Sequence, residues 1–185
     1  MLILILGGSA SGKSTFAEAL AGRLGRAGRG GPAGRKIYLA TMKPVDEECR
    51  ERIQKHRKQR QAGQFETREE YGLLQDFSWT DPKATVLFEC VSNYLNNLMF
   101  AGAEKRSSEE LVQTLTDSLL FLSQKSRHLI VVSNVLHEDG IRYDAFTREY
   151  LRIFGQINQR LAEAADQVYE VVCGIPVSVK GGENG

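Results

Sequence analysis

Leu2-Ile3-Leu4-Ile5-Leu6, followed at once by Gly7-Gly8-Ser9-Ala10-Ser11-Gly12-Lys13-Ser14, is the stretch on which the fold turns. A short, unbroken apolar run suits a strand buried on both faces, the habit of parallel sheets. The eight residues after it fit G-x-x-x-x-G-K-[ST]. Glycines let such a loop curl until its N–H groups converge on an anion. Phe16, Ala17, Leu20, Ala21 and Leu24 are then spaced for one face of a helix. The positive end of that helix aims at the same place. In a loop of this kind Lys13 reaches the β- and γ-phosphates of a nucleotide, and the Ser14 hydroxyl holds Mg2+.

Working outward, apolar runs recur at Ile37–Ala40, Thr85–Phe88, Leu129–Val132 and Val168–Val172. Helical stripes fill the intervals. Ser107 and Glu110 form a capping-box pattern ahead of Leu111, Leu115, Leu119 and Leu122. Phe146, Tyr150, Ile153, Phe154, Ile157 and Leu161 make another stripe. This alternation predicts an α/β fold: a P-loop NTPase-like domain over residues 1–180, with a mostly parallel central sheet flanked by helices. Gly174-Ile175-Pro176 reads as a turn into a short C-terminal edge strand at Val177–Val179, and residues 181–185 as a disordered tail. Gly25–Gly34 reads as a flexible loop. Val86-Leu87-Phe88-Glu89 is an apolar run ending in a carboxylate, placed to face Mg2+ beside the phosphates. The stripe Tyr94, Leu95, Leu98 and Met99 fits a subunit interface or core, with core the default reading.

Composition narrows the function. The 185 residues carry 24 basic and 23 acidic side chains, a net charge of +1, which gives no reason to expect a nucleic-acid partner. At 42% hydrophobic and 25% charged, the chain is neither disordered nor fibrous. No apolar run approaches the roughly 20 residues of a membrane span, and Leu2–Leu6 is too short for a signal peptide. Cys49, Cys90 and Cys173 are odd in number and lack CxxC spacing, which points to reduced thiols in a cytoplasmic protein.

Val45 to Arg60 contains no glycine or proline and reads as a helix. Asp46, Glu47 and Glu48 lie near its start and Lys55, Arg57, Lys58 and Arg60 near its end, the order that complements the helix dipole. Val45, Cys49, Ile53, His56 and Arg60 share one face, so His56 lies on the less polar side. A neutral imidazole is a competent nucleophile toward phosphorus, and neighbouring cations favour the neutral ring. A purely structural helix histidine satisfies the same spacing. His128 and His137 have no partner in sequence that suggests a triad or a metal site.

These residues resemble a known family, the bifunctional adenosylcobinamide kinase/adenosylcobinamide-phosphate guanylyltransferases of cobalamin synthesis. The resemblance rests on GGSASGKS at Gly7–Ser14, YLAT at Tyr38–Thr41, RIQKHRKQR at Arg52–Arg60 and FET at Phe65–Thr67. It continues through FECVSNYLNNLMF at Phe88–Phe100, Val132-Ser133-Asn134, and the closing run Gly155–Lys180. The resemblance implies phosphorylation of adenosylcobinamide by ATP or GTP, then transfer of GMP from GTP onto that phosphate. It implies His56 as the covalent carrier of GMP. Nucleotide contacts then fall to Gly7–Ser14, to Ala40, Thr41 and Met42, to Arg57, Lys58, Gln59 and Arg60, and to Glu69 and Glu89. Homotrimeric assembly is implied as well. The chain departs from the family pattern in four places. The spacing between His56 and Glu69 is one residue longer than in relatives, which makes the neighbouring Glu70 an alternative to Glu69. Gln61 stands where relatives carry Pro, and Phe65 where they carry Trp. After Asn134 this chain has Val135-Leu136-His137-Glu138-Asp139-Gly140 instead of Glu-Val-Gly, which removes a carboxylate suited to orienting an acceptor hydroxyl. Two other readings keep the nucleotide site: a small-molecule kinase without guanylyl transfer, and a non-catalytic nucleotide-binding module.

Overall fold

The computed structural model describes residues 1–26, 34–45, 47, 50–51, 54, 63–74, 81–100, 106–136 and 142–182. Its strands are β1 (Leu2–Gly7), β2 (Lys36–Ala40), β3 (Glu66–Glu69), β4 (Thr85–Glu89), β5 (His128–Val132), β6 (Gln167–Val172) and β7 (Ile175–Lys180). They form one seven-stranded sheet in the order β3-β2-β4-β5-β1-β6-β7. Neighbours are parallel throughout, except that β6 and β7 pair antiparallel at one edge.

Helix α1 (Lys13–Leu24) covers one face of the sheet, and α2 (Val91–Met99), α3 (Ser108–Lys125) and α4 (Ala145–Ala164) cover the other. The alternation of β1 explains this. Ile3 and Ile5 pack with Ala17, Leu20 and Ala21 of α1, while Leu2 and Leu4 join the core made with Leu115, Leu119, Phe154 and Ile157. All of these apolar side chains are buried, which is why the run carries no polar alternation. Tyr94, Leu95 and Leu98 lie in this second core, with Met99 packed against it, so the α2 stripe is core in this chain.

Two elements differ from the expectation. β3 has the sequence Glu66-Thr67-Arg68-Glu69, with no apolar residue. It is an edge strand held by backbone pairing with β2, so hydrophobic periodicity cannot signal it. The final strand begins at Ile175, earlier than expected, and the reversal falls on Cys173 and Gly174, at φ 49 and 83. Pro176 is tolerated inside β7 because that strand is an edge.

Register sets what reaches the carboxyl edge of the sheet. Ala40 is level with Glu69 on one side and Glu89 on the other. Glu89 is level with Val132, and Val132 with Ile5. The ends of β1, β2, β3, β4 and β5 therefore open onto one rim, beside the loop that leads into α1.

Candidate functional site

The loop after β1 turns twice through left-handed backbone, at Ala10 (φ 57) and Gly12 (φ 90). At Gly12 a side chain is disfavoured twice over: the positive φ strains one, and a Cβ would crowd Gly174 Cα at 3.1 Å. The β6–β7 turn thus braces the loop, and Gly174 N–H donates to Ser11 O at 2.8 Å. Lys13 and Ser14 open α1, whose first N–H groups point at the loop. Lys13 Nζ folds back to donate to Gly8 O at 3.0 Å.

Ser14 and Glu89, 75 residues apart in sequence, meet: the Ser14 hydroxyl donates to Glu89 Oε1 at 2.5 Å. Tyr38, buried in β2, donates its phenol to Glu89 Oε2 at 2.8 Å. The carboxylate is thereby held from both sides. Sequence reasoning did not single out Tyr38, because a tyrosine within an apolar run looks like core until its hydroxyl partner is known.

Thr41 is wholly buried. Its hydroxyl bridges to Glu89 O and Cys90 O, each at 3.0 Å, and accepts from Cys90 N–H at 2.8 Å. Asn97 of α2 donates to Thr41 O at 2.7 Å. The side chain of Thr41 thus ties the exits of β2 and β4 together, and half-buried Ala40 and Met42 flank it. Glu69 ends β3 on the same rim, exposed, and accepts from the Tyr71 phenol at 2.8 Å.

His56, Arg57, Lys58, Gln59 and Arg60 lie outside the described residues, as do Cys49, Ile53, His137, Glu138 and Asp139. Of the expected Val45–Arg60 helix, Glu47, Arg50, Glu51 and Gln54 are helical and exposed, as an outer face spaced i, i+3, i+4, i+7 should be. Val45, at 73% exposure, is not packed against the core. His128 lies at the opposite edge of the sheet, its Nδ1 3.1 Å from Thr85 Oγ1. Burial, then the neighbouring Arg127, holds its imidazole below the usual pKa.

A polar cluster borders the site between β4, β5 and α4. Cys90 Sγ is 3.1 Å from Ser92 Oγ, and Asn134 Nδ2 donates to Ser92 Oγ at 2.8 Å. Burial raises the Cys90 pKa and keeps it a thiol, and burial pushes the nearby Tyr150 phenol up to about 12.

A family model described as cobinamide kinase / cobinamide phosphate guanyltransferase (CobU) matches residues 3–179. The chain is 32% identical over 191 residues to the bifunctional adenosylcobalamin biosynthesis protein CobU of Salmonella typhimurium, covering 97% of this chain and 100% of that one. The Escherichia coli CobU protein gives the same identity and coverage. The CobP protein of Pseudomonas aeruginosa is 31% identical over 180 residues, 96% of each chain. With the nucleotide-type loop, the Ser14–Glu89 contact and a match spanning nearly its whole length, the chain belongs to the cobinamide kinase / cobinamide phosphate guanyltransferase family.

Proposed function

We propose that this protein phosphorylates adenosylcobinamide with a nucleoside triphosphate and then transfers GMP from GTP onto the product, giving adenosyl-GDP-cobinamide. The observation that carries the reading is the convergence of Lys13, Ser14 and Glu89 at the head of α1, in a chain whose residues 3–179 match that family. Lys13 leaves Gly8 O for the β- and γ-phosphates, and the loop amides line the anion. Among the described residues no group of three or more His, Cys, Asp or Glu side chains could hold a metal. The Ser14 hydroxyl and Glu89 carboxylate, two hard oxygen donors brought together at the head of α1, suit Mg2+, which would replace their direct hydrogen bond, keep several waters and borrow phosphate ligands. Bound there, Mg2+ would offset charge on the β- and γ-phosphates.

Guanylyl transfer then needs a nucleophile, and His56 is our assignment. Its imidazole nitrogen attacks the α-phosphorus, the bond to the bridging oxygen breaks, and pyrophosphate leaves. The corrinoid phosphate oxygen next attacks the same phosphorus and releases the imidazole. A P–N bond retains the transfer potential that a relay between two phosphates needs. Arg57, Lys58, Gln59, Arg60 and Glu69 complete the nucleotide contacts in this reading. Incubation with GTP labelled at the α-phosphate, followed by denaturation, should leave acid-labile label on the wild type and none on His56→Ala; equal labelling of the two ends the relay.

Assembly as a homotrimer and a cytoplasmic location belong to the same reading. Free Cys90 and Cys173 accord with a reducing compartment. No described helix is long and apolar enough to cross a membrane. Sedimentation velocity should return three chain masses, and a lone chain at micromolar concentration would refute the trimer.

A further inference from the structure

We propose that Asn134, at the exit of β5, is a catalytic residue of the phosphoryl-transfer step, its amide oxygen accepting a hydrogen bond from the acceptor hydroxyl. The inference rests on the kinase half of the function proposed above and assigns its acceptor side.

Topology places the residue. β5 lies between β1, which feeds the phosphate loop, and β4, which ends in Glu89. Val132 is level with Ile5 on one side and with Glu89 on the other. The chain continues past that level, and Val135 N–H donates to Gly7 O at 3.0 Å. Asn134 therefore stands on the rim between the two halves of the site. In the proposed function, a γ-phosphate shared by Lys13 and the Ser14–Glu89 pair would lie toward that gap.

Three other side chains fix how Asn134 sits. Asn158 of α4 donates to Asn134 O at 3.1 Å and accepts from the buried Ser133 hydroxyl at 2.6 Å. Asn134 Nδ2 donates to Ser92 Oγ at 2.8 Å. The Ser92 hydroxyl can then turn its own proton toward Cys90 Sγ, 3.1 Å away, which makes the chain of donors consistent. Among the described residues nothing donates to Asn134 Oδ1, and the half-buried residue remains accessible. A polar group locked by its neighbours, with one lone-pair face left open at a phosphate site, is built to receive a ligand's proton donor.

The chemistry requires no more than that. Phosphoryl transfer proceeds through a loose transition state in which positioning outweighs base strength. The acceptor hydroxyl, donating to Oδ1, turns a lone pair toward the γ-phosphorus. Its oxygen bonds to that phosphorus as the bond to the β–γ bridging oxygen breaks, and the nucleoside diphosphate leaves. Once the oxygen–phosphorus bond has formed, the proton on that oxygen is acidic and passes from its hydrogen bond at Oδ1 to water. The described residues that follow, Val135 and Leu136, are apolar, so among the described residues from Asn134 to Leu136 its amide is the polar side chain.

The test measures phosphate transfer from γ-labelled nucleotide to cobinamide, alongside binding of a fluorescent GTP analogue. For Asn134→Ala, kcat should fall about 100-fold, the loss typical of a positioned polar contact, while nucleotide affinity moves less than about threefold. Ser92→Ala, which removes one atom outside the main core, should lower kcat roughly tenfold with affinity likewise kept, because the amide loses its anchor. Either variant transferring phosphate within about threefold of wild type overturns the assignment of Asn134 alone. A wild type that binds nucleotide but transfers no phosphate overturns the kinase reading and this inference with it.

Discussion

Glu89 shows how single residues make this site. A lone strand-end carboxylate would be solvated and mobile; this one is gripped by Ser14 at one oxygen and by Tyr38 at the other. Its backbone is fixed as well, because Thr41 bridges the Glu89 and Cys90 carbonyls and accepts from Cys90 N–H. Thr41→Val keeps the shape but leaves Cys90 N–H without its partner, while Glu89 O keeps Thr41 N–H and Cys90 O keeps Tyr94 N–H. The expected cost is about 1–3 kcal/mol in urea unfolding; a midpoint equal to wild type would show that the bridge contributes nothing. In the proposed function one triphosphate cradle serves both reactions, so Lys13→Ala should remove both phosphoryl and guanylyl transfer in an assay of each.

Among the elements, α3 states its own start. Ser107 Oγ accepts from Glu110 N–H at 3.2 Å, and the Glu110 carboxylate accepts from Ser107 N–H at 2.7 Å. Leu111, Leu115, Leu119 and Leu122 then all face the core. Ser107→Ala should cost about 1 kcal/mol by thermal melting. β5 carries a pH dependence. The His128 pKa is depressed in the folded chain, first by burial and then by Arg127, from 6.5. The unfolded chain thus binds a proton that the folded chain refuses. Stability is full above pH 6.5 and falls as pH drops through that value toward the lower folded pKa. His128→Gln should flatten the melting temperature between pH 7 and 5 relative to wild type; parallel curves would place the titration elsewhere.

Over the whole molecule, the sheet is covered on both faces and its carboxyl rim gathers β1, β2, β4 and β5 around one opening. Ligand there touches several elements at once, so binding should stabilise the chain as a unit. At a hundredfold excess over Kd, GTP with Mg2+ should add about 2.7 kcal/mol, roughly 5–10 °C in a thermal melt. Lys13→Ala should show little of that shift.

Much of this was legible in the residues before any coordinates. β1 and its loop declared themselves because continuous burial and a glycine-rich turn are local demands. The capping box and the stripes of α3 and α4 were readable for the same reason: their signal repeats within a few residues. β3 was invisible, since an edge strand of Glu66-Thr67-Arg68-Glu69 is stabilised by backbone pairing that no side-chain pattern encodes. The early start of β7 was masked by Pro176, which reads as a breaker until the strand is known to be an edge. Sequence alone thus determined the fold class, the glycine-rich turn after β1 and the strand-end acid that meets it. Only the tertiary structure decided that Tyr38 and Thr41 hold that acid and that Asn158, Ser133 and Ser92 hold Asn134. Those partners lie tens of residues apart, and strand order and register, which are properties of the whole sheet, bring them within hydrogen-bonding distance.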